Sequence, residues 1–122
     1  MQEYCRDVYE NAGADAWSAA NVARTRAAMA QLLGAKPSEI AFTKNTTEGL
    51  NIAAHGFDLK PGDNVVLTNL EHVANVWVWK HWEAKGVELR FARHRDGRLP
   101  LEAFLEQMDG RTRVVSTAYV TY

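Results

Sequence analysis

Ile40-Ala41-Phe42-Thr43-Lys44-Asn45-Thr46-Thr47-Glu48-Gly49-Leu50-Asn51 passes from a short apolar segment through a polar loop into a helical pattern. Ile40 to Thr43 follows the breaker Pro37 and is partly β-branched, which predicts a buried strand. Leu50, Ala53, Ala54 and Phe57 then recur at the spacing of one helix face. Between strand and helix, Asn45 is the expected N-cap. Glu48 stands three residues later, as in a capping box with Asn in place of Ser or Thr. Such a terminus leaves amide donors open, and Thr46 and Thr47 add two hydroxyls. Donors and helix dipole together favour an anion by about 0.3 to 1 kcal/mol per charge. The stretch is a candidate phosphate cradle, although on the cap alone a well-capped helix with no ligand is the simpler account.

Outside this stretch, composition narrows the function classes. The chain has 122 residues, 47% hydrophobic, with 14 basic and 15 acidic side chains and a net charge of -1. These values predict one soluble globular domain and no electrostatic footprint for nucleic acid or an anionic membrane. Arg90, Arg93, Arg95 and Arg98 cluster locally and read as solvated surface. No apolar run approaches the roughly 18 residues needed to span a bilayer. Met1 is followed by Gln-Glu-Tyr-Cys-Arg and not by a signal peptide, so the expected location is the cytoplasm. The single cysteine, Cys5, excludes an internal disulfide and any Cys-x-x-Cys motif. The histidines at 55, 72, 81 and 94 lack metal-ligand spacing, and no metal site is expected.

In chain order, Tyr4, Val8 and Tyr9 predict a short helix within residues 1–14, and Ala16 to Leu33 a long one stopped by Gly34. After the central stretch, Pro61-Gly62 signals a turn. Val65-Val66-Leu67 then reads as a strand covered on both faces. Its end carries Thr68-Asn69-Leu70-Glu71-His72, at the strand edge where open α/β sheets bind ligands. Ala74 to Lys85 predicts a helix ended by Gly86, with Val76, Trp77, Val78, Trp79 and Trp82 too many to share one core. Residues 87–92 alternate like a strand near a sheet edge. Pro100, Leu101, Phe104, Leu105 and Met108 predict another helix, and Val114 to Val120 a last strand. The alternation βαβαβαβ predicts an α/β fold with a parallel sheet, and a chain ending on an uncovered strand looks incomplete.

Together, Phe42-Thr43-Lys44-Asn45-Thr46-Thr47-Glu48-Gly49-Leu50-Asn51, Pro61-Gly62-Asp63, Asn69-Leu70-Glu71-His72-Val73-Ala74-Asn75 with Trp79, Asp96-Gly97 and Arg111-Thr112 resemble the class V aminotransferase family. That family includes cysteine desulfurases, selenocysteine lyases and isopenicillin epimerase-like enzymes, all using pyridoxal 5′-phosphate on the fold-type I scaffold. The resemblance implies a three-layer αβα architecture with a mainly parallel sheet, as part of an aspartate aminotransferase-like large domain. On this reading residues 1–14 are an amino-terminal helical segment and residues 15–122 a partial cofactor-binding domain.

The resemblance implies that Thr46 and Thr47 hold the cofactor phosphate. It likewise implies that His72 stacks on the pyridine ring and assists proton transfer, tasks a flat imidazole titrating near neutrality suits. Taken alone, His72 reads more simply as a capping or surface residue. The family's Asp at the pyridinium nitrogen and its cofactor-bonding Lys lie beyond the last residue here; Lys44 is not a substitute. His55 and His81 carry no motif and read as structural. Cys5 is far from the desulfurase cysteine position, and Tyr122 stands where desulfurases usually have Asn, which favours another branch. The start is abrupt for the family, so Met1 is expected to be internal. The implied enzyme is a homodimer acting on an amino acid, with this piece inactive alone and Ile40 to Thr43 lacking a neighbouring strand. Other readings are a phosphate-ligand-binding or partner-associating half of a split enzyme, and a plain flavodoxin-like binding domain.

Overall fold

Five consecutive residues with no exposed face, Asn64-Val65-Val66-Leu67-Thr68, form β1 (Asn64–Thr68) at the centre of a parallel sheet. The computed structural model describes residues 1–120. Two compact units divide the chain, Met1–Phe42 and the part from Thr43 onward.

In the first unit, α1 (Gln2–Asn11) and α2 (Ala19–Leu33) are followed by one 3₁₀ turn at Pro37–Glu39. The connection between the helices is held by Asp7, whose carboxylate accepts the amide hydrogens of Ala16 at 2.9 Å and Asp15 at 3.3 Å. Ser18 Oγ accepts from the Asn21 amide at 3.3 Å and caps α2, so the helix starts at Ala19, not Ala16. Its C-cap Gly34, one residue past the helix, has φ 64°, and the following Ala35 amide donates to Ala30 O at 2.8 Å.

The buried strand expected at Ile40 to Thr43 does not form. Ile40 is extended at φ -105°, ψ 121°, but residues 40–43 join no ladder and Phe42 is 48% exposed. An extended segment becomes a strand only when a neighbour satisfies its backbone groups, and no described segment pairs with this one.

The second unit comprises α3 (Thr46–Gly56), β1, α4 (Val73–Glu83), β2 (Glu88–Ala92), α5 (Leu101–Leu105) and β3 (Thr112–Val115). The sheet order is β2-β1-β3, all parallel, with Val65 opposite Leu89 and Val114, and Leu67 opposite Phe91. Ala54 of α3 and Val78, Trp79 and Trp82 of α4 pack with Val65 and Leu67 to make the core. Burying each Val or Leu of β1 contributes about 1.5 to 3 kcal/mol. Pro61 and Gly86 meet at the entry to the strands. A Cβ at Gly86, whose φ is 83°, would stand 3.0 Å from Pro61 Cβ, and the Gly62 amide donates to Gly86 O at 2.8 Å.

Three apolar stripes differ from their sequence patterns. In α3 the buried residue is Ala54 with Leu50 half-buried beside it, while Ala53 is exposed and Phe57 lies just past the helix end, its ring 5.9 Å from that of Trp79. In α4, Trp77 is 66% exposed, so the surplus of large residues is not absorbed by this core. Helix α5 is one short turn whose buried residue is Ala103, with Leu101, Leu105 and Met108 exposed. The last strand stops at Val115, because the Ala118 amide is drawn to a carboxylate instead of a ladder.

Candidate functional site

The α3 N-terminus is built as a donor-rich loop. Asn45 Oδ1 accepts the Glu48 amide hydrogen at 2.9 Å, the expected cap. Glu48 Oε2 accepts the Lys44 amide at 2.8 Å, so the reciprocal bond reaches one residue farther out than a capping box. Thr43 Oγ1 donates to Asn45 O at 3.1 Å and braces the turn. With the Glu48 amide engaged by the cap, the first-turn amides of Thr46 and Thr47 precede any intrahelical acceptor. Their side chains are exposed.

A second wall comes from the carboxyl end of β1. Thr68 Oγ1 accepts the Leu70 amide at 3.0 Å and Thr68 O accepts the Glu71 amide at 3.2 Å, closing a tight turn. The turn delivers His72 as the N-cap of α4, its Nδ1 accepting the Ala74 amide hydrogen at 3.1 Å. A backbone N–H can only donate, so Nδ1 carries the lone pair and the neutral ring has its proton on Nε2.

The third wall is the segment leaving β3. The Ser116 amide donates to Val66 O at 2.9 Å, and Ser116 Oγ donates to Asn75 Oδ1 at 2.7 Å. Asn75 Oδ1 also accepts from Trp79 Nε1 at 3.2 Å. Asn75 Nδ2 donates to Glu71 Oε2 at 2.9 Å, while Glu71 Oε1 accepts the Ala118 amide at 2.7 Å.

These three walls line an open cavity of about 520 Å³ that brings Thr46 and Thr47 together with His72 and residues 116–118. The residues singled out from sequence thus line one space. The roles of Glu71, Asn75 and Ser116 were missed; the i, i+4, i+8 spacing of Glu71, Asn75 and Trp79 was the available signal. No lysine lines the cavity among the described residues, and Lys44 is exposed. Among the described residues there is also no group of three metal-ligating side chains and no helix long and apolar enough to cross a membrane. The position of Tyr122 lies outside the described residues.

The shifted titrations sit at the opposite edge of the sheet. A hydrogen bond from the Arg111 amide, reinforced by the Asn64, Arg90 and Arg111 side chains, holds Asp109 well below the usual carboxylate range. Hydrogen bonds to Glu88 and Asp109 hold Arg90 above its ordinary value, and Arg90 in turn lowers Glu88. This cluster ties the strand entries together and is distant in the topology from the cavity at the strand exits.

The family model for aminotransferase class-V matches residues 1–121. The chain belongs to the aminotransferase class-V family. Among class-V relatives, a cysteine desulfurase of Haloferax volcanii is 40% identical over 100 residues, covering 76% of this chain and 24% of the relative. The apo cysteine desulfurase of Thermococcus onnurineus NA1 superposes with a TM-score of 0.73 at 33% identity, over 82% of this chain and 26% of that one. A C-DES structure with glycine covalently linked to its PLP cofactor shares the fold, with a TM-score of 0.76, 23% identity, and coverage of 99% of this chain and 34% of that one. The chain therefore spans from 24% to 34% of the length of these proteins.

Proposed function

We propose that this chain supplies the phosphate-binding and ring-facing walls of a pyridoxal 5′-phosphate site in an enzyme acting on an amino acid, with cysteine desulfuration the reaction favoured by its relatives. The observation that carries the reading is the convergence of Thr46, Thr47 and His72 on one cavity from segments that are apart in sequence. Its volume of about 520 Å³ falls within the roughly 300 to 1,000 Å³ of small-ligand sites. The donor set fits the group: two hydroxyls and two first-turn amides for a phosphate, and an imidazole for a flat ring.

When bound, the cofactor supplies an electron sink for carbanion chemistry at the amino-acid substrate. Thr46 and Thr47 bind the phosphate, helped by the α3 dipole. His72 would stack on the ring and could hold a proton at Nε2, the ring nitrogen its helix cap does not use. Segment 116–118 lines the remaining side of the cavity. The enzyme so proposed is a cytoplasmic homodimer, and the exposed Trp77 and Val73 of α4 support a further apolar contact outside this chain.

Titration of the 122-residue chain with pyridoxal 5′-phosphate, pyridoxal and inorganic phosphate, followed by amide NMR, tests the reading. The expected result is that both phosphates shift Thr46 and Thr47, only pyridoxal 5′-phosphate also shifts His72, and pyridoxal binds weakest. Shifts confined to residues outside the cavity would overturn it.

A further inference from the structure

Four polar bonds that no catalytic role accounts for cross the cavity wall, and they share two residues, Glu71 and Asn75. Glu71 uses one carboxylate oxygen for the Ala118 amide and the other for Asn75 Nδ2. Asn75, only 7% exposed, fills both lone pairs of Oδ1 with the Trp79 indole and the Ser116 hydroxyl. The amide of Asn75 is therefore fixed in one orientation. Reversing it would set an NH₂ group against the indole N–H and leave Glu71 Oε2 facing an oxygen.

We propose that Glu71 is a positioning residue that, through Asn75, sets the width of the cavity and the rotation of His72; the proposal deepens the function above and rests on that reading for its ligand. Residues 71 and 72 share one peptide on the β1-to-α4 turn. The carboxylate ties that turn to the strand exit 47 residues later, and the carboxamide ties the first turn of α4 to the same exit. No cation pairs with this carboxylate in any described salt bridge; it is held by neutral donors, whose bonds are directional. A lysine or arginine partner would give attraction with looser geometry. Two directed bonds from two segments fix both the distance between the walls and the tilt of the peptide that carries His72. The phosphate end, on α3, is built by separate bonds at Asn45 and Glu48.

Donor and acceptor arithmetic provides the test. E71Q sets an NH₂ against either Asn75 Nδ2 or the Ala118 amide, whichever way the new carboxamide turns, and N75D puts two carboxylates against each other. The double variant E71Q/N75D restores every bond and keeps the charge; the hydrogen shared between positions 71 and 75 is then donated from 71 instead of from 75. In the 122-residue chain, each single variant is expected to speed exchange of the Ala118 amide by about tenfold or more and to shift the His72 ring signals, with the Leu67 amide unchanged. Each is also expected to lower affinity for pyridoxal 5′-phosphate while leaving that for inorganic phosphate unchanged. The double variant should recover all three. Single variants that leave the His72 ring signals unmoved would overturn the proposal, as would a double variant no better than the singles, including the case in which the singles fail to fold. A wild-type chain that binds neither phosphate, but whose His72 signals still answer to the cycle, would refute the proposed function and leave the positioning role standing.

Discussion

Asn64 Nδ2 donates to Asp109 Oδ1 at 2.9 Å, joining the first residue of the central strand to the loop before the last strand, 45 residues away. Thr112 Oγ1 donates to Asn64 Oδ1 at 2.8 Å, so the same carboxamide grips both ends of that loop. Arg90 Nη1 completes the clamp, reaching Asp109 Oδ2 at 3.0 Å and Gln107 O at 3.0 Å. The arrangement fastens the edge strands to β1 at their entry, leaving the exits to carry the cavity.

Acid should loosen this clamp before it affects the core. Asp109 and Glu88 both titrate below their ordinary values in the folded chain, so at a given low pH the unfolded chain binds more protons. Their stabilisation is complete above the ordinary carboxylate range near pH 4 and is lost as pH falls through the depressed folded values. Urea midpoints measured from about pH 6 down to 2 should therefore fall. D109N should be less stable than the parent at neutral pH and show a flatter acid limb; an unchanged limb would refute the assignment.

Removing the hydroxyls of Thr46 and Thr47 together leaves the helix amides in place. Phosphate affinity in the double alanine variant should fall by roughly 1 to 3 kcal/mol, the scale of charge-assisted bonds. Calorimetric titration with pyridoxal 5′-phosphate measures it, and equal affinity in the two proteins would count against the cradle.

His72 has two separable duties, capping α4 and facing the cavity. H72N keeps an acceptor for the Ala74 amide, whereas H72A loses it and about 1 kcal/mol of stability. Both variants lose the ring. Affinity for pyridoxal 5′-phosphate should therefore drop alike in both, while thermal stability drops only in H72A. Full binding by H72N would assign His72 to capping alone.

Backbone exchange should separate residues 41–43 from β1. Ala41, Phe42 and Thr43 belong to no ladder, whereas Val65, Val66 and Leu67 are buried, the first two paired on both sides and Leu67 with Phe91. Deuterium exchange of the 122-residue chain should show the former fast and the latter slowest. Cooperative protection of both segments would mean that the first segment finds a partner strand after all.

No single lysine should react preferentially with pyridoxal 5′-phosphate, since none lines the cavity among the described residues. Borohydride treatment followed by peptide mapping checks this, and stoichiometric labelling of Lys44 would contradict it.

The alternation of apolar runs and caps was sufficient to read the helices, the three parallel strands and the edge position of β2. Local rules governed them: Ser18, Asn45 and His72 cap by reaching their own next turn, and Val65-Val66-Leu67 has no polar residue to offer to water. Thr46, Thr47 and His72 were singled out by the family resemblance, since the local rules alone favour a ligand-free cap and a capping histidine. Residues 40–43 were misread because an apolar extended segment is a strand only if another strand lies beside it. The short α5 and the outward Trp77 likewise depend on what each face meets. Most of all, Glu71 and Asn75 look like ordinary helix-start residues in sequence. Their partners, Ala118 and Ser116, lie more than 40 residues away and come within hydrogen-bond reach only because β3 docks beside β1.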